Sequence, residues 1–88
     1  MNFLKVQIIT KTPDQIYEYI LKDIYRGVTL IPAKGAYSKD DKTILMVVIV
    51  TYELTAIKRK IKEIDPQAFV IVEPVRHVYG NFARKTIV

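Results

Sequence analysis

The amino-acid sequence predicts an α+β fold: a four-stranded antiparallel sheet with two helices on one of its faces, the elements following the order β-α-β-β-α-β. Three observations carry this. Runs rich in valine, isoleucine and threonine recur along the chain, as strands require. Two stretches between them space isoleucine and leucine at helical intervals. Proline or glycine stands at most of the joints.

Taken in order, Lys5 to Thr10 is β-branched and partly alternating, the pattern of a half-buried strand. Thr12, Pro13 and Gln15 then supply an N-cap, a proline at the first helical position and a glutamine three residues after the cap. Ile16, Ile20, Leu21 and Ile24 lay one apolar stripe along that helix, and Gly27 is its expected left-handed stop. Val28 to Ile31, closed by Pro32, reads as an edge strand because proline cannot donate to a ladder. After the mixed stretch Ala33 to Lys42, the continuously apolar Thr43 to Val50 reads as a central strand. Thr51 is the expected cap of a second helix with Leu54, Ile57, Ile61 and Ile64 on one stripe, ended by Asp65-Pro66. Ala68 to Val72 forms the last strand, and the chain continues through Pro74, Arg76, His77 and Gly80 to a basic tail from about residue 81. The economical packing of this order is the ferredoxin-like sandwich, one domain over residues 1–88. Four apolar residues per helix cover one sheet face, so the other is expected to meet another subunit, and an outward-facing residue such as Val47 or Val48 would lie in that contact.

Size and charge narrow the function. A chain of 88 residues buries roughly 60–65% of its unfolded surface, and with no cysteine it has no disulfide to strengthen a small core. Self-association, as a dimer or trimer through the open sheet face, is the expected remedy. The absence of cysteine and of a signal-peptide pattern after Met1 fits a cytoplasmic setting. The longest apolar run, Ile44 to Val50, is about a third of the ~20 residues a membrane-spanning helix needs. A formal charge of +5 favours anionic partners without choosing among them.

Covalent catalysis finds little support. The chain has one histidine, no cysteine and no serine in a G-x-S-x-G elbow, so no catalytic residue is assigned and His77 reads as a surface or subunit-contact residue. Asp40 and Asp41, between Lys39 and Lys42, read as a solvated hairpin tip rather than an oxygen cage for calcium, and no metal or cofactor is expected. Lys58, Arg59, Lys60 and Lys62 form the exposed face of the second helix, with anionic lipid or nucleic acid as the rarer use of such a face. Base-stacking aromatics and RNP motifs are missing from the strands, which disfavours nucleic acid. The loop Ala33 to Ser38 is the most suggestive segment, since a glycine between small residues lets backbone amides approach an anion beside Lys34. A bulge or turn explains the same glycine. Gly27 and Gly80 read first as backbone devices.

The run Arg26-Gly27-Val28-Thr29, then Lys34-Gly35-Ala36-Tyr37, then Asp41-Lys42, and finally Leu54 and Lys62 to Val70, resembles the C-terminal cytosolic domain of YitT-family bacterial membrane proteins. The resemblance covers about residues 6 to 80. It implies a domain that ordinarily follows a multi-helix membrane region, so the chain is either an excised domain or a free-standing homologue at the cytosolic face of the inner membrane. The family's ending of glycine, one residue, glycine and phenylalanine is here Gly80-Asn81-Phe82, followed by Ala83, Arg84 and Lys85. A looser resemblance to PII-type signal proteins implies trimers holding nucleotides between subunits. Val28-Thr29 leading into Lys34-Gly35 is similar to their strand entering the mobile loop, with Tyr37 where a further glycine is expected.

These readings lead to a regulatory, non-enzymatic domain that self-associates, binds a small anion such as a nucleotide at a subunit interface, and acts on a membrane partner. Lys34, Gly35, Ala36, Tyr37 and Ser38 are the candidate ligand residues, joined by Arg26, Gly27, Arg76 and Gly80 from a neighbouring segment or subunit. The alternative is a structural module that oligomerises or docks and binds no small molecule. A third option is anionic lipid or nucleic acid on the Lys58 to Lys62 face.

Overall fold

The computed structural model describes residues 2–80. Strand β1 (Phe3–Thr10) leads to helix α1 (Pro13–Tyr19), which widens into a π-helical turn (Ile20–Ile24). Strands β2 (Thr29–Lys34) and β3 (Asp41–Val50) follow, then a 3-10 turn (Thr51–Glu53), helix α2 (Leu54–Ile64) and strand β4 (Phe69–Val75). The strands form one antiparallel sheet in the order β2-β3-β1-β4. This is the expected ferredoxin-like α+β sandwich, with β3 central beside β1 and β2 on an edge. The basic tail lies outside the described residues.

Strand parity explains the layering. Ile8 pairs with Leu45 and with Val70, and Val6 pairs with Val47 and with Val72, so these side chains share one face. On that face Val6, Ile8, Leu45, Val47 and Ile49 pack with Ile16, Ile20 and Ile24 from the first helix and Ile57 and Ile61 from α2. Helix α1 is 7 residues long, well short of the ~12–15 at which an isolated helix becomes marginal. Its stability therefore comes from the docked isoleucines, each contributing roughly 1.5–3 kcal/mol on burial. At the far ends of β1 and α2, Thr10 donates its hydroxyl to Asp65 Oδ2 at 2.6 Å.

Several local expectations change. The first helix stops at Tyr25, whose φ is 62°, and not at Gly27. The π turn advances the chain before the stop, and the Arg26 amide reaches Ile20 O at 3.5 Å to close it. Thr12 makes no side-chain cap; its amide instead bonds Thr10 Oγ1 at 3.0 Å. Thr51 does not cap α2 either, because its hydroxyl and amide both reach Asn2 O at 3.2 Å. The capping is done by Glu53, whose Oε1 accepts the Val50 amide at 2.9 Å. Strand β2 runs on past Pro32 to Lys34, β3 begins at Asp41, and β4 continues through Pro74 to Val75. Edge positions tolerate both prolines. Of the pair Val47 and Val48, Val47 is buried beneath the helices and only Val48 has outward parity.

Candidate functional site

The face opposite the helices is built by the other parity. One register row crosses all the strands as Ile31, Ile44, Ile9 and Phe69. The next row contributes Met46, Gln7 and Ile71, beside Thr29. Phe69 is 63% exposed and Ile31 36%, large values for an aromatic and a β-branched residue, and they stand at the two edge strands that end the row. The third row holds Val48 and an ion pair in which Lys5 Nζ lies 3.4 Å from Glu73 Oε1. This face is therefore an apolar strip bordered on one side by a charge pair.

The residues expected to bind an anion divide between opposite ends of the sheet. Lys34 to Ser38 sit at the β2–β3 hairpin tip, where Lys34 is opposite Asp41. Arg26 and Gly27 precede β2, and Arg76 and Gly80 follow β4, whose last residue is opposite Phe3 as Val50 is. Strand β2 alone, 6 residues long, separates the two groups by roughly 20 Å at about 3.3 Å per residue. One copy of the chain does not bring them together.

Arg26 is 7% exposed, and its Nε donates to Glu53 Oε1 at 3.2 Å. That charge ties the start of β2 to the start of α2. Arg76 is exposed. Gly80 has a φ of +103° with open space around it, so its role is conformational. At the tip, Gly35 N donates to Asp40 O at 3.0 Å and Lys39 N to Gly35 O at 2.9 Å. Asp40 N donates to Ser38 Oγ at 3.3 Å. A Cβ on Gly35 would stand 2.7 Å from Ser38 Oγ, so glycine here permits the close approach of that hydroxyl. Tyr37 is fully exposed. Lys11 Nζ binds Asp40 Oδ2 at 2.6 Å, and this bond, backed by the same lysine's charge, holds the Asp40 carboxyl below the usual carboxylate range. The tip is thus a closed turn whose cations are Lys34, near Asp41 at 3.8 Å, with Lys39 and Lys42.

Among the described residues no cluster of three or more histidine, cysteine, aspartate or glutamate side chains is placed to hold a metal ion. No described helix is long and apolar enough to cross a membrane. Sequence reasoning named neither Glu53 as the partner of Arg26 nor Lys11 as that of Asp40. Both pairs join residues far apart in the chain, and the sequence carries no periodic signal for them.

The geometry defines a small ferredoxin-like domain with one apolar sheet face that no described helix covers, and comparison with known proteins places it in a family. Residues 26–80 match the family described as an uncharacterized protein conserved in bacteria (DUF2179), and the chain belongs to it. It is 37% identical over 81 residues to the UPF0750 membrane protein YitT of Bacillus subtilis, covering 92% of this chain and 29% of that protein. It is 47% identical over 74 residues to YvjA of the same organism, covering 84% and 26%. The chain thus spans less than a third of the length of these membrane-protein relatives. Among solved structures, a DUF2179 protein from Eubacterium ventriosum superposes with a TM-score of 0.68 at 31% identity, over 81% of this chain and 97% of that one. A PII-like signaling protein from Thermus thermophilus superposes with a TM-score of 0.70 at 21% identity, over 85% and 87%. The YitT resemblance read from the sequence is correct, and the PII-like likeness is one of fold.

Proposed function

We propose that this chain is a non-enzymatic assembly domain: copies associate through the open sheet face, at the cytosolic side of the membrane in which its longer relatives reside. The observation that carries the reading is the row Ile31, Ile44, Ile9 and Phe69, which crosses the whole sheet on the side that no described helix covers. Four apolar side chains in one row, flanked by Met46 and Ile71, gain the ordinary ~25 cal/mol per Å² only when a second surface removes them from water. The Lys5 and Glu73 pair beside them supplies a charged edge that orients such a contact.

The regulatory role follows as an extension. Association of copies is the way to bring the hairpin cations Lys34, Lys39 and Lys42 of one chain towards the Arg76 and Gly80 end of another. The resulting seam suits a small anion such as a nucleotide, and the signaling description of the PII-like neighbour supports this reading. The domain would then report ligand occupancy to the membrane region.

Sedimentation velocity tests the first step. The chain is expected to sediment as a dimer or trimer, and the Ile44→Glu variant as a folded monomer with unchanged far-ultraviolet circular dichroism. A chain that stays monomeric at high concentration would overturn the reading. Calorimetry with a nucleotide panel tests the extension, and silence at millimolar ligand defeats it while leaving assembly standing.

A further inference from the structure

Strand β4 is the edge of the sheet beneath α2, and its cover is incomplete. Val72 has the parity of the core yet is 38% exposed. Between helix and strand runs a groove of about 490 Å³ with a floor of Leu54, Ile61, Val70 and Val72. Lys58 and Lys62 stand on its helical wall, and neither has a carboxylate partner among the described residues. Asp65, at the end of the groove, is turned to other work, accepting from Thr10 Oγ1 at 2.6 Å and from the Gln67 amide at 3.0 Å. Lys60 of the same helix differs: it lies 3.7 Å from Glu63 and 5.8 Å over the Tyr19 ring. The groove is apolar below and uncompensated positive above.

Among the described residues, β4 pairs with β1 alone, so its other edge carries no described strand. Backbone groups in a strand alternate in direction, and Pro74, lacking an N–H, is tolerated where the ladder faces away from β1. Val70 and Val72 share that parity, so their amides and carbonyls point outward beside the groove their side chains line. Spacing favours a strand as the occupant. Lys58 and Lys62 are one i,i+4 step apart, about 6 Å along α2, and alternate residues of an extended chain repeat every ~6.8 Å. The chain's own tail is a poor candidate, since residues 81–88 include Arg84 and Lys85 and no acid.

We infer that the α2–β4 groove accepts an extended acidic and apolar peptide segment as a fifth strand, with glutamates at alternate positions reaching Lys58 and Lys62 while their methylene stems cover Val70 and Val72. Main-chain bonds to the β4 edge supply affinity, and the paired lysines select the acidic sequence.

The probe is an acetylated, amidated octapeptide alternating glutamate and valine, titrated into the full chain and followed by amide hydrogen exchange and chemical shift. Slowed exchange at Val70 and Val72, with shifts in α2, is expected. Its lysine and valine counterpart should not bind. The double variant Lys58→Glu and Lys62→Glu, whose substitutions lie on an exposed wall and leave the core intact, should weaken the acidic peptide about tenfold or more and favour the basic one. The inference fails on any of four results: no binding, binding unaffected by the charge reversal, perturbation confined to β2, or Val70 and Val72 already protected by a second copy. Protection of the same amides by phosphatidylglycerol vesicles but not by peptide assigns the groove to lipid and overturns it equally.

Discussion

Arg26 and Glu53 meet inside the molecule, with Nε 3.2 Å from Oε1 and side-chain exposures of 8% and 2%. The same carboxylate oxygen accepts the Val50 amide at 2.9 Å. One acid thus joins the end of β3, the first turn of the α2 segment and the chain entering β2. Replacing either member alone leaves a charge without its buried counterpart.

Glu53→Ala is expected to cost about 3–5 kcal/mol, a large part of the stability of a domain this size. Arg26→Met should cost a similar amount. The double variant Arg26→Met with Glu53→Gln should be milder than either, because the amide oxygen still serves Val50 and no charge stays buried. A cycle of Arg26→Met, Glu53→Gln and their combination, measured by urea unfolding, reads this directly, and simple additivity of those two single variants would contradict it.

Neighbouring valines of β3 should respond in opposite ways. Val47 is buried beneath the helices at 2% exposure, so Val47→Asp places a carboxylate in the core and should leave the chain unfolded or molten. Val48 pairs with Lys5 on the open face, so Val48→Asp should keep the native circular dichroism spectrum and lower the sedimenting mass. If Val48→Asp also unfolds the chain, the open face is part of the fold rather than a contact surface.

Acid should loosen the hairpin tip before the core. Because the Asp40 pKa is depressed by the hydrogen bond from Lys11, its contribution is present above the unfolded carboxylate value and is lost as pH falls through the lower folded value, below about pH 4. The effect is small, since the carboxylate is in contact with water. Carbon-detected titration of Asp40 should show the depression in the native chain. In Lys11→Met the carboxyl should move back towards the ordinary range.

Lys39 holds a φ of 65° in an exposed turn. Lys39→Gly removes the steric penalty of the left-handed region, and after the added freedom of the unfolded chain is set against it, the variant should gain about 0.5–1 kcal/mol. Thermal unfolding checks the direction: Lys39→Ala, which keeps the penalty, should not stabilise.

Much of the fold was legible in residue patterns. The isoleucines Ile16, Ile20, Ile24, Ile57 and Ile61 recur at helical spacing and all enter the core, because period 3.6 is a local property of the chain, whereas Leu21, expected on the first stripe, is 40% exposed. Helix stops and caps were less legible. Gly27 carries the residue type of a stop, yet the π turn brings Tyr25 to that position first. Thr51 has the chemistry of a cap, yet Asn2 lies within reach of it in the folded chain. Of the residues suggested for an anion, Lys34 to Ser38 are neighbours in sequence and so share one hairpin tip, whereas Arg26, Gly27, Arg76 and Gly80 lie at the other end of the sheet, a separation set by strand register.

The order of strands and helices, the two apolar stripes and the family resemblance follow from the sequence alone, since each depends on spacing within a short window. Which face of each strand is bare, where Arg26 puts its charge and which lysines of α2 lack an acid were settled only by the tertiary structure. Those outcomes depend on register across the sheet. A shift of one residue reverses every side chain, and short-range pattern does not encode which distant partner will stand opposite.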